Sequence, residues 1–262
     1  MVLSNTKVKL NNQVTIYLCL IIKCKYFMKT VIITGASSGI GAETAVLLNR
    51  KGYQVVLAAR RMNKLENIAE RLNEHHLLVK VDVCKVHEVE SLVKQTIDKF
   101  GKIDVLINNA GLGYIAPLAE GKLEDWHQMF NVNVNGLLTC THKSLPYLLK
   151  EKGTIINIAS VAAHEVFPNT VVYCATKHAV NAITLGIRKE FRDKVKVCNI
   201  SPGAVQTEFL EQSEESNNVK QMRDFFFNNE TLKGIDIAEA IYEVLSKPAH
   251  VAINEVIIRP NI

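Results

Sequence analysis

The chain has 262 residues, 48% of them hydrophobic and 22% charged, with a formal net charge of +5. That length suits one large α/β domain or two small ones, and the composition is ordinary for a globular protein. Residues 1–27 hold Lys7, Lys9, Lys23 and Lys25 and no acid, so removing those four from +5 leaves +1 for residues 28–262, which gives no support for a nucleic-acid-binding surface.

In chain order, the first feature is the apolar run VTIYLCLII, nine residues at 14–22. As a helix it would span about 14 Å, against a hydrocarbon core of about 30 Å, so it is too short to cross a bilayer. KCKYFMK follows where a signal peptide would carry small residues for cleavage. Residues 1–27 are therefore expected to be a disordered or loosely attached leader. Met28, directly before the first strand, is the expected natural start of a domain covering 28–262.

From Lys29 strand-like and helix-like blocks alternate. KTVIIT (29–34) is a short apolar strand that stops at Gly35, and GIGAETAVLLNRKG (39–52) is a helix closed by Gly52. YQVVLAA (53–59) is the second strand and NKLENIAERLNEH (63–75) the second helix. The strands HLLVKVDV (76–83), IDVLINNAG (103–111), GTIINIAS (153–160) and KVKVCNISPG (194–203) follow, with helices at 85–100, 122–150 and 171–192 between them. A long polar stretch, 206–234, precedes the helix IDIAEAIYEVLSK and a last strand NEVIIRP. This order predicts a doubly wound α/β Rossmann fold, a seven-stranded parallel sheet with helices on both faces. The apolar strands VIIT, VVLAA and VLIN fit burial on both sides.

Candidate chemistry gathers where strands end. TGASSGIG ends the first strand and opens the first helix, with Gly35, Ser37, Ser38, Gly39, Ile40 and Gly41 in reach of a pyrophosphate. The second strand ends in Arg60-Arg61 with no acid to hold a ribose 2′-hydroxyl, which favours the 2′-phosphate of NADP. Asp82-Val83 follows the third strand, and Asn108-Asn109-Ala110-Gly111 ends the fourth. Tyr173 and Lys177, spaced i,i+4, share one helix face. An adjacent ammonium is expected to favour the phenolate and lower the phenol's pKa. The six cysteines show no CxxC and no metal spacing, which predicts reduced thiols in the cytoplasm and no metal site.

Taken in order, TGxxxGxG, NNAG, the Asn133 of VNxxG, Ser160, YxxxK and PGxxxT (Pro202, Gly203, Val205, Thr207) resemble the single-domain branch of the short-chain dehydrogenase/reductase family from about Lys29 to the C-terminus. The resemblance implies that Tyr173 is the general acid in carbonyl reduction and the base in reverse. Ser160 would polarise the carbonyl. Lys177 would lower the Tyr173 pKa and hold the nicotinamide ribose, and Asn133 would anchor a water in a proton relay to Lys177. It further implies an NADP(H) cofactor, a small carbonyl or alcohol substrate, and a homodimer or homotetramer.

The segment Lys247–Glu255 and the closing VIIRPNI are similar to NADP-dependent 3-hydroxy acid and serine dehydrogenases. The expected lid, 206–228, carries Glu208, Glu211, Glu214, Glu215 and Asp224 against Lys220 and Arg223, a balance of −3 that does not invite a carboxylate. Phe225-Phe226-Phe227 would cap an apolar substrate or pack the lid. A membrane-associated steroid or lipid reductase and a non-catalytic dinucleotide sensor are the alternatives. The sensor should lack the Ser/Tyr/Lys set, and this chain retains it.

Overall fold

The computed structural model describes residues 28–209, 219–220, 224 and 230–261. The leader 1–27 and Phe225–Phe227 lie outside the described residues, as do Glu211, Glu214, Glu215 and Arg223. Seven strands form one parallel sheet in the order β3-β2-β1-β4-β5-β6-β9. They are β1 (Thr30–Thr34), β2 (Gln54–Ala59), β3 (His76–Lys80), β4 (Val105–Asn108), β5 (Thr154–Ile158), β6 (Lys196–Pro202) and β9 (Glu255–Ile258). Between β6 and β9, β7 (Val205–Gln206) and β8 (Leu232–Lys233) pair in parallel as a separate two-stranded ribbon. The predicted doubly wound fold is thus observed. The strand order reverses between β1 and β4, and in such sheets ligands bind outside the strand ends at that crevice.

The strands are apolar on both faces because helices cover both. Val31, Val55, Leu57, Val105, Ile107 and Ile156 pack with α1 (Gly39–Arg50), α2 (Met62–Ala69) and α7 (Gly234–Ser246). Ile32, Val56, Leu106, Ile155 and Val197 point the other way, onto α3 (Val86–Phe100), α5 (Leu137–Glu151) and α6 (Val171–Glu190). The alternation within each strand is the period-two geometry of a pleated sheet, here filled with aliphatic side chains on both sides.

Several predicted bounds differ, and the fourth strand, expected over 103–111, is Val105–Asn108, so Asn109, Ala110 and Gly111 lie beyond it. The second helix stops at Ala69, not at 75. The third strand ends at Lys80, so Asp82 and Val83 stand in the loop beyond it. The helix predicted over 122–150 is divided into α4 (Leu123–Phe130), a π-helical turn (Asn131–Gly136) and α5. The physical reason lies at Asn133, whose side chain is drawn out of the helix surface by the loop after β4. Its Oδ1 accepts from the Leu112 N–H at 2.9 Å, and its Nδ2 donates to the Leu112 carbonyl at 2.8 Å and to Thr176 Oγ1 at 3.0 Å. Such widened turns are frequent at functional sites.

A buried polar row crosses the sheet on the α5/α6 side. Asn108, Asn157 and Asn199 are partners in register on β4, β5 and β6. Asn108 Nδ2 donates to Asn157 Oδ1 and Thr141 Oγ1, both at 2.9 Å, and Asn157 Nδ2 donates to Thr184 Oγ1 at 2.8 Å. All three asparagines are at most 4% exposed. Leaving such groups unpaired costs about 1–3 kcal/mol each. Asn157→Ala is therefore expected to lower unfolding stability by at least about 2 kcal/mol, read from urea unfolding at unchanged m-value. A loss below about 0.5 kcal/mol, the scale of a surface substitution, would show that the row is not a stabilising network.

Candidate active site

The cleft begins where β1 and β4 end side by side. Thr34 Oγ1 accepts from the Asn109 and Ala110 N–H groups, both at 3.0 Å, and Asn109 Nδ2 donates to the carbonyls of Thr34 (2.9 Å) and Gly35 (3.1 Å). The chain can turn there only because Gly35 lies at φ +65° and has no Cβ. An added Cβ would sit 2.8 Å from Ala110 Cα. Gly41, one turn on, has no room either: a Cβ would come within 2.5 Å of Asn109 Nδ2 and 2.6 Å of the Gly35 carbonyl oxygen. No side chain caps the start of α1 at Ser38. Its first-turn N–H groups and the positive end of its dipole face the cleft, an arrangement suited to a phosphate.

A cleft of about 1120 Å³ runs from this turn to α6. Among the residues expected from the sequence, it is lined by Gly35, Ser37, Ser38, Gly39 and Ile40, and by Arg60, Arg61, Asp82 and Val83. Asn109, Ala110, Gly111, Ser160, Tyr173, Lys177, Pro202, Gly203, Val205 and Thr207 complete that set. Gly41 and Asn133 stand behind the wall, Gly41 as a packing position and Asn133 as the staple between Leu112 and α6.

At the β2 end the two arginines part company. Arg61 donates to Ser37 Oγ at 2.9 Å through Nη2 and to Ser38 Oγ at 2.8 Å. The Arg60 charge is instead felt by Cys84 and Tyr114. Lys64, one turn along α2 from Arg61, joins the same cluster through Glu208, at 2.6 Å. The sequence reading missed Lys64, although its i,i+3 spacing from Arg61 would have placed it on the same face.

At the α6 end stand Ser160, Tyr173 and Lys177. Ser160 follows β5, accepts from the Ala162 N–H at 3.1 Å and begins a single turn of 3₁₀ helix. Lys177 is 6% exposed; its Nζ donates to the Ile158 carbonyl at 2.9 Å and lies 5.8 Å from the centre of the Tyr173 ring. Burial pushes the Tyr173 phenol up to about 12, while the Ser160 hydroxyl bonded to it pulls the other way. Burial also pushes the Lys177 ammonium down to about 8. Desolvation is the first cause of both shifts, and the phenol is protonated at neutral pH.

Phe209 and Gly113 were not anticipated. The Phe209 ring lies 5.2 Å from the Tyr173 ring, edge to face, and a Cβ on Gly113 would come 2.3 Å from Phe209 Cζ. Among the described residues no group of His, Cys, Asp and Glu is arranged to hold a metal, and no helix is long and apolar enough to cross a membrane.

An open parallel sheet that presents a glycine turn at one strand end and a paired phenol and ammonium at another defines an oxidoreductase of the dinucleotide-binding α/β class. The comparison with known proteins makes that specific. The family model for short chain dehydrogenase matches residues 29–218, and the chain belongs to that family, whose enzymes work with a nicotinamide dinucleotide. An uncharacterized oxidoreductase of Staphylococcus saprophyticus is 44% identical over 238 residues, 89% of this chain and 96% of its own. Among solved structures, an alcohol dehydrogenase from the archaeon Thermococcus sibiricus, complexed with 5-hydroxy-NADP, is 32% identical with a TM-score of 0.79, covering 88% of this chain and 96% of its own. The closed form of a serine dehydrogenase complexed with NADP+ is 30% identical with a TM-score of 0.83, covering 88% and 94%.

The opposed shifts give a test that needs no substrate. Lys177 has a folded-state pKa below its unfolded one, so it costs the fold nothing above about pH 10.5 and its full penalty below about pH 8. In the cofactor-free protein, the stability of Lys177→Met relative to wild type is expected to rise by about 2–3 kcal/mol from about pH 10 to about pH 7. Chemical denaturation across that range measures it. A difference that does not change with pH would mean that the ammonium is not desolvated.

Proposed function

We propose that this protein is an NADP(H)-dependent oxidoreductase that interconverts a small carbonyl compound and its secondary alcohol. The observation that carries the reading is one cleft with Arg61, Ser37 and Ser38 at one end and Ser160, Tyr173 and Lys177 at the other. The residues fit a dinucleotide. Gly35 and Gly39 hold positive φ beside an uncapped helix start, and no carboxylate follows β2 to meet a 2′-hydroxyl. The nicotinamide supplies the hydride in reduction and accepts it in oxidation.

The chain's own groups bind, orient and move the proton. The turn at Gly35–Ile40 receives the pyrophosphate on backbone N–H groups, and Arg61 with Ser37 and Ser38 receives the 2′-phosphate. Ser160 hydrogen-bonds the substrate carbonyl and holds its oxygen toward the Tyr173 hydroxyl. Tyr173 donates its phenolic proton to that oxygen in reduction and takes it back in oxidation. Lys177, fixed by the Ile158 carbonyl, is placed to bond the ribose hydroxyls and to return a proton toward Tyr173. Asn133 serves this relay as a positioning residue, because its carboxamide is already bonded to Leu112 and Thr176.

The substrate end is lined by Leu112, Ile115, Val161, Phe167 and Phe209, a mainly apolar wall. The four described cysteines are free, in keeping with a cytoplasmic setting. Exposed Phe130, Leu138, Val171 and Leu185 on α4, α5 and α6 support a homodimer or homotetramer.

Tyr173→Phe is expected to lower turnover by at least about 100-fold while NADPH still binds by fluorescence titration. Retained turnover would overturn the mechanism. Wild-type kcat/KM is expected to favour NADPH over NADH by about 10-fold or more, the scale of lost charge-assisted hydrogen bonds, and Arg61→Ala should collapse that preference. Equal efficiency with the two cofactors in wild type would overturn the NADP assignment.

A further inference from the structure

Arg61 and Lys64 already have an anion. Glu208 Oε2 lies 2.9 Å from Arg61 Nη1, and Glu208 Oε1 lies 2.6 Å from Lys64 Nζ. The carboxylate bridges the two cations on the side of Arg61 away from Ser37 and Ser38, which take its Nε and Nη2. Arg61 thus bonds through Nε, Nη1 and Nη2, and its one anionic partner comes from 147 residues further along the chain.

Glu208 stands between two packed neighbours. Thr207 before it packs on the helix start, its Cγ2 standing 3.0 Å from where a Gly39 Cβ would be. Phe209 after it is wedged against Gly113, Tyr173 and Ile115. Between these two packed neighbours the carboxylate is aimed at the arginine–lysine pair, and rotation of its own side chain would withdraw it. Lys64 and Arg61 hold its carboxyl below the usual carboxylate range, so it is ionised at neutral pH.

We propose that Glu208 is a specificity-determining residue that occupies the 2′-phosphate subsite in the cofactor-free protein and must be displaced by the phosphate of NADP(H). The proposal rests on the NADP reading above. A phosphate dianion brings more charge and one more acceptor oxygen than a carboxylate, so it wins the exchange. The competition still taxes its affinity by the fraction of protein in which Glu208 is docked. A cofactor lacking the 2′-phosphate has no claim on the subsite and pays no such tax. Glu208 therefore narrows the gap between NADP(H) and NAD(H) that Arg61 and Lys64 create.

The test uses the adenosine end alone, so it is independent of turnover. Binding of adenosine 2′,5′-bisphosphate and of 5′-AMP is measured calorimetrically on wild type and Glu208→Gln at low salt. The expected result is that the bisphosphate binds wild type more tightly than AMP, and that Glu208→Gln tightens the bisphosphate by about 3- to 10-fold, the scale of two partly exposed ion pairs, with AMP changed less than twofold. If the bisphosphate outbinds AMP on wild type but Glu208→Gln leaves the ratio unchanged or lowers it, the competitor assignment is overturned and the NADP reading stands. If the bisphosphate binds no better than AMP on either protein, the NADP reading fails and takes this inference with it.

Discussion

The cleft depends on how closely β1 and β4 are tied where they end. The Thr34 hydroxyl accepts from the Asn109 backbone N–H, and the Asn109 carboxamide donates to the Thr34 carbonyl, across the point at which the strand order reverses. That clasp admits no extra atom at Gly35 or Gly41. In return it sets the start of α1, an uncapped row of N–H groups, beside the loop that carries Ala110, Gly111 and Leu112. The same loop is stapled through Asn133 to Thr176, the residue before Lys177. Short polar contacts thus run from the glycine turn after β1, through the loop after β4, to the helix that carries Tyr173 and Lys177.

Burial governs the chemistry at the far end. Tyr173 and Lys177 are moved in opposite directions by one cause, loss of water, so each is pushed toward its neutral form. A lysine whose pKa falls to about 8 titrates near physiological pH, where giving up and regaining a proton takes little free energy. The family resemblance alone would have the ammonium lowering the phenol's pKa. In both shifts burial, more than a neighbouring charge, is the main cause.

Much of this was legible in the sequence, because apolar runs that stop at glycine or asparagine mark the strand ends of a parallel sheet. The strands ending at Thr34, Ala59, Asn108 and Ile158, and the residues just beyond them, could be placed from pattern alone. What escaped has a common physical cause. The π-helical turn at Asn131–Gly136 is imposed by a bond to Leu112, 21 residues away, and hydrophobic periodicity does not register it. The Glu208 bridge to Arg61 and Lys64 joins the end of the sheet to α2, and nothing local to Glu208 distinguishes it from the acids around it. Lys64 was within reach of spacing rules; its role became visible only when its partner was.

The asparagine row across β4, β5 and β6 bears on how the sheet assembles. Aliphatic strands slide past one another with little change in what they bury, so a parallel sheet built of valine and isoleucine alone is poorly discriminating about alignment. Asn108, Asn157 and Asn199 remove that tolerance. A shift of one residue would carry an amide to the opposite face among Ile107, Ile156 and Ile200, and a shift of two would leave the amides without counterparts. The row thus acts as a proofreading mark for strand alignment. Asn108 and Asn157 stand near the ends of β4 and β5, the strands that lead into Asn109 and Ser160, so the alignment of these two strands also aligns those residues.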